Sequence, residues 1–184
     1  MQTTRAGICG RRRRLASSLL PALALGVSAM TLHALPAAAQ DAPTNTTGAD
    51  PRLLEAIDWY TGVAGEVRDA YAKALLEEVD SEGDDVLARM WIARVHSTGR
   101  MGFRRNESRA REIASTVIDQ VRALADDGDV EAVFLMGTAY DEALGVDQDY
   151  AQAMRWYRRA ADVGHVLAAH NVGNMYRDGR GVEV

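Results

Sequence analysis

The feature that most constrains this chain is a pattern written twice between Glu131 and Gly181. Ala132, Met136, Gly137, Tyr140, Gly145 and Val146 recur, each 36 residues later, as Ala168, Val172, Gly173, Tyr176, Gly181 and Val182. A fixed period of that size marks a stacked solenoid, whose units cannot bury their apolar flanks alone and cover one another instead. Ala132, Met136 and Tyr140 stand at i, i+4 and i+8, on one face of a helix. Gly137 sits beside that stripe, where glycine costs about 1 kcal/mol relative to alanine. Its recurrence predicts close approach of a partner helix, with Ala160 and Ala161 as the small surface opposite. Gly145 predicts a corner at positive φ, filled by Val146 and Trp156. Tyr140 and Tyr176 are expected in the core, with their hydroxyls at its edge.

The pattern extends backwards in weaker form. Ala88, Ile92, Ala93 and His96 fall where Ala132, Met136, Gly137 and Tyr140 fall later, and Gly102-Phe103 takes the place of Gly145-Val146. The second helix of that unit, about Ser108 to Ala125, is longer than its later counterpart, and its extra turns are expected to project beyond the stack. Tyr71-Ala72-Lys73-Ala74 aligns with Tyr150-Ala151-Gln152-Ala153, and Asp50-Pro51 reads as a helix start. The units are therefore residues 51–82, 83–127, 128–163 and an incomplete 164–184.

The first forty residues have a different character. Arg11–Arg14 form a basic head, Leu15–Leu35 is apolar and uncharged, and Pro36-Ala37-Ala38-Ala39 supplies small residues. This reads as a secretory signal over residues 1–39, cut after Ala39, with the periplasm of a Gram-negative bacterium as destination. An uncleaved membrane anchor is the alternative, since the run is long enough. Pro21, Pro36 and the alanine cluster favour cleavage, after which no membrane insertion is expected. Residues 40–50 read as a disordered spacer. Five arginines leave with the signal, so 21 basic residues fall to 16 against 26 acidic ones, a formal charge of −10. That argues against nucleic acid and anionic membrane surfaces as partners and favours a soluble protein or a basic partner. The single cysteine, Cys9, lies in the signal, so the mature chain forms no disulfide.

Read together, Ala-x-x-x-Met-Gly-x-x-Tyr and Gly-Val-x-x-Asp-Tyr-x-x-Ala-x-x-Trp-Tyr-x-x-Ala-Ala-x-x-Gly, from Ala132 to Gly164, resemble the Sel-one-like repeat, a relative of tetratricopeptide repeats. The resemblance is fullest over Gly128–Gly181 and thins toward Pro51. It implies an all-α, right-handed solenoid of antiparallel helix pairs, whose first helices line a concave face. Their non-core positions are then the candidate protein-binding residues: Leu87, Met90, Arg94 and Ser97; Glu131, Phe134, Thr138 and Asp141; Leu167, His170, Asn174 and Arg177. The set mixes apolar, charged and amide groups, as a peptide groove would. Some members carry a disulfide in every repeat, which this chain cannot form.

Nothing in the sequence points to catalysis or a cofactor. His96, His165 and His170 lack metal spacing. Asp147-x-Asp149 resembles a calcium loop, but Arg158 stands where the bidentate glutamate is needed. The expected function is an exported scaffold that binds a protein or peptide, not an enzyme. The alternative is an enzyme or accessory protein of cell-wall polymer metabolism, in line with links seen among relatives of the family. The last unit has one helix only, so its stripe of Ala168, Val172 and Tyr176 is expected to be uncovered. That predicts self-association, fraying, or a longer chain that continues the array.

Overall fold

A computed structural model of the chain describes residues 48–182. The signal, its cut after Ala39 and most of the spacer lie outside the described residues. Seven helices and no strand occur among those described: α1 (Pro51–Thr61), α2 (Asp69–Glu82), α3 (Val86–Thr98), α4 (Glu107–Asp126), α5 (Val130–Glu142), α6 (Tyr150–Ala161) and α7 (Val166–Asp178). None is long and apolar enough to cross a membrane. The fold is an α–α solenoid. Helices pair as α1–α2, α3–α4 and α5–α6, while α3 packs on α5 and α5 on α7 in a row of first helices.

Short polar residues start five of the seven described helices. Asp85, Asn106, Asp129 and Asp149 each accept a hydrogen bond from the backbone N–H three residues on, and Asp50 from that of Arg52, satisfying donors that a helix start leaves unpaired. The same turn then closes every hairpin. The residue before each second helix donates its N–H to a carbonyl near the end of the first: Arg68 to Trp59 at 2.9 Å, Asn106 to His96 at 2.7 Å, Asp149 to Tyr140 at 3.0 Å. The first pair keeps this closure although its side-chain signature has gone, because backbone groups alone make the bond.

The core runs along the row of first helices. In α5 every residue from Glu131 to Ala139 is buried, and in α3 every residue from Leu87 to Val95 except Arg89. Each large apolar side chain enclosed this way contributes about 1.5–3 kcal/mol. The close approach expected at Gly137 is present, but its partner differs. A methyl group there would stand 2.5 Å from Cδ1 of Tyr157. The small surface lies on α5 and receives a large ring from α6. Tyr157 is fully buried, and its hydroxyl donates to Thr138 Oγ1 at 3.3 Å. The corner at Gly145 has φ +74°, with Ile118 Cβ 3.0 Å from where a methyl would sit.

Two other expectations are corrected. The extra turns of α4 do not project. Ala110, Ile113, Ala114, Val117, Ile118, Val121 and Ala125 are buried at helical spacing along it, because α3 lies along one side of α4 and α5 along the other. Tyr140 does sit at the core edge, accepting from Arg122 at 3.2 Å, but Tyr176 is 52% exposed, against a core place and in line with an uncovered stripe, while Ala168 of that stripe is fully buried. From α6, the Arg158 guanidinium lies 5.4 Å from the Tyr176 ring centroid.

The chain enters the solenoid along the starts of its first helices. Gly48 N–H donates to Asp129 Oδ2 at 2.8 Å and Asp50 N–H to Asp85 Oδ2 at 2.9 Å. The other oxygen of each aspartate caps α5 or α3, so both lone-pair sets are used.

Candidate functional site

Most of the residues expected to line a groove are inside the protein. Leu87, Met90, Phe134 and Thr138 are buried, as are Ser97, Arg94 (6% exposed) and Glu131 (4% exposed). The physical reason is the direct stacking of α3, α5 and α7. The flank taken for an open surface is the interface between repeats. Of the α7 residues, His170 and Arg177 are exposed and Asn174 and Leu167 half-buried. Arg177 bonds Asn174 and Asp178, each at 2.9 Å, and His170 meets no other candidate.

The buried polar members form a network that joins three repeats. Glu131 Oε1 accepts from Trp91 Nε1 at 2.7 Å, and Oε2 pairs with His165 Nε2 at 2.9 Å. His165 Nδ1 accepts from Ala168 N–H at 3.2 Å and so caps α7. That fixes the tautomer: the ring proton is on Nε2 and points at Glu131. Phe134 stacks on the His165 ring with centroids 4.4 Å apart and packs on Trp91 at 5.9 Å. The Arg94 guanidinium lies 4.5 Å from the Trp91 centroid and 5.1 Å from that of Phe134, within the range of cation–π attraction.

The open polar feature lies at the C-terminal ends of α3 and α5. A cleft of about 640 Å³ is lined by Ser97, Thr98 and Arg100 from the end of α3, by Arg105, Glu107 and Arg111 around the start of α4, by Asp141, Glu142 and Gln148 after the core of α5, and by Arg180 after α7. Arg180 Nη1 pairs with Asp141 Oδ1 at 2.7 Å. Ser97 Oγ donates to Glu142, and Gln148 Nε2 donates to the Asp141 carbonyl at 2.8 Å. Arg105 pairs with Glu107 at 2.6 Å. Of the residues singled out from sequence, only Asp141 and Ser97 line this cleft. Arg94 stands close enough for its charge to act on both Asp141 and Glu142. Arg100, Arg105, Arg111, Glu142 and Arg180 were not anticipated. They come from different loops and helix ends, and no periodicity links them.

Burial pushes both wall carboxyls above the ordinary range. For Glu142 the opposing influences are the Arg94 charge and the Ser97 hydroxyl; for Asp141 the strongest is the Arg180 charge. A carboxyl whose folded pKa is raised binds its proton more readily in the native state. Its contribution to stability therefore grows as pH falls through the interval above the ordinary values, 4.5 for Glu and 3.8 for Asp, and is lost as pH rises again. Glu142→Gln is expected to flatten the rise in melting temperature that accompanies acidification from about pH 7 to about pH 5. Thermal melts followed by circular dichroism check this. Parallel curves for the two proteins would contradict it.

The Sel1 repeat model matches residues 130–165 and 166–184, and the two helix pairs before them lie outside those matched residues. Among solved structures the chain is similar to a Sel1 repeat protein from Oxalobacter formigenes, with 26% identity and a TM-score of 0.37, over 72% of this chain and 36% of that one. The chain thus spans little more than a third of that protein's length. Comparison with curated proteins finds no match. The matched segments meet at residues 165 and 166, where His165 caps the helix that opens the second copy of the 36-residue pattern, and residues 130–184 carry two Sel1 repeats.

Proposed function

We propose that this protein is an exported, non-catalytic scaffold that binds a protein or peptide, and that its contact surface is the polar cleft at the ends of α3 and α5. Sel1 repeats generally mediate protein–protein interactions. The observation that carries the reading is the cleft itself: successive repeats deliver charged side chains to one recess of about 640 Å³. A rigid solenoid that presents convergent polar groups suits an extended chain, because little ordering is needed on binding. Export rests on the character of residues 1–39.

Thr98 lines the cleft and is exposed at the last turn of α3, so a bulky residue there fills the recess without entering the core. Thr98→Trp is expected to weaken capture of a partner from periplasmic extract about tenfold or more, a change of about 1.4 kcal/mol or larger. A tryptophan at exposed Asp119 of α4 should leave capture unchanged. Equal capture by wild type and Thr98→Trp would remove the cleft from the reading, and no capture by the wild type would remove the scaffold.

A further inference from the structure

We propose that the cleft receives an acidic segment of the partner protein, with Arg100 as the principal cation that the segment meets. The proposal rests on the scaffold reading above and names the chemistry of its ligand.

The argument is one of unmatched charge. Four arginines line the recess against three carboxylates. Those carboxylates are already engaged. Asp141 is paired with Arg180, and Glu142 accepts from Ser97. Glu107 serves two guanidiniums, Arg105 at 2.6 Å and Arg111 at 4.0 Å. Arg100 is left with one polar partner among the described residues, the Tyr60 hydroxyl at 3.4 Å, and no carboxylate within ion-pair distance. Arg94, just behind the wall, has no carboxylate at that distance either, and its Nε has no hydrogen-bond partner among the described residues. Arg100 acts on Glu142, and Arg94 on both Glu142 and Asp141, carboxyls that are already engaged. Arg100 thus stands at the recess without a carboxylate of its own, and an incoming anion would supply one.

A basic segment entering here would meet occupied carboxylates and repelling guanidiniums. A carboxylate would find a guanidinium fork suited to two parallel hydrogen bonds. The full chain carries a formal charge of −5, and −10 without residues 1–39. A long polyanion such as nucleic acid is repelled by that field, while a short acidic segment needs only the local patch.

The test uses the full chain and fluorescence anisotropy with three labelled probes: a decaglutamate peptide, a decalysine peptide and a decathymidine oligonucleotide. Decaglutamate is expected to bind, to weaken with added salt, and to lose about tenfold or more in affinity with Arg100→Glu. Arg100→Gln should give a smaller loss in the same direction. Arg104→Glu, an exposed neighbour outside the cleft, should change affinity less than about twofold. No binding of decaglutamate, equal loss in the Arg100 and Arg104 variants, or equal or tighter binding of decalysine or the oligonucleotide would overturn the proposal. If decaglutamate fails while Thr98→Trp still abolishes partner capture, the scaffold stands and the acidic ligand falls. If both fail, both fall.

Discussion

Gly137→Ala is expected to destabilise the protein by about 2 kcal/mol, whereas Gly173→Ala gains up to about 1 kcal/mol, although the two glycines hold the same place in the repeat. At Gly137 the added methyl meets the Tyr157 ring at 2.5, 2.7 and 3.0 Å. That ring is fully buried and its hydroxyl is tied to Thr138, so it cannot swing aside as the tip of a flexible side chain would. The overpacking cost exceeds the helix propensity that alanine restores. At Gly173 nothing lies within 4 Å, and only the propensity remains. Chemical denaturation of the two variants reads both signs. A stabilising Gly137→Ala would mean that α6 does not press on α5 as described.

Glu131→Ala should cost about 3 kcal/mol and loosen α7 more than any other helix. Two donors converge on this carboxylate, Trp91 Nε1–H at 2.7 Å and the His165 ring at 2.9 Å, and both would be left buried without a partner. Glu131→Gln is expected to recover only part of the loss. The His165 ring must keep Nδ1 as acceptor for Ala168 N–H, so Nε2 must donate. A carboxylate accepts from both donors, while an amide facing two donors satisfies one and opposes the other. Hydrogen exchange at the Ala168 and Ala169 amides is the direct readout. Protection there that is unchanged in Glu131→Ala would show that His165 holds its place without the carboxylate.

The 36-residue pattern made the helical array legible, since small and aromatic residues at fixed spacing leave few alternatives to stacked hairpins. It placed Gly137 against a neighbour and Gly145 at a corner with φ +74°. The surface was less legible. Treating Glu131, Phe134 and Thr138 as groove residues assumed that α5 has one covered side. Its run Val133-Phe134-Leu135-Met136 argues otherwise, since a helix apolar all round is enclosed all round. Arg94 resisted for a different reason. A charged residue reads as exposed, and its burial rests on two aromatic faces, one of them a full repeat away, and on the nearby carboxyls of Asp141 and Glu142. The cleft drew on Arg100, Arg111, Glu142 and Arg180, whose meeting depends on how the loops fold back and not on any local pattern.

In an open array of repeats each unit senses only the one beside it, and stability adds up from pairs. The entry of this chain breaks that rule. Residues 48–50 reach across sequence separations of 35 and 81 to fasten on Asp85 and Asp129. Long-range ties of this kind raise contact order and slow folding. They also bind the leading and middle hairpins into a single cooperative block, so that fraying at the leading end weakens the start of α5 two repeats away.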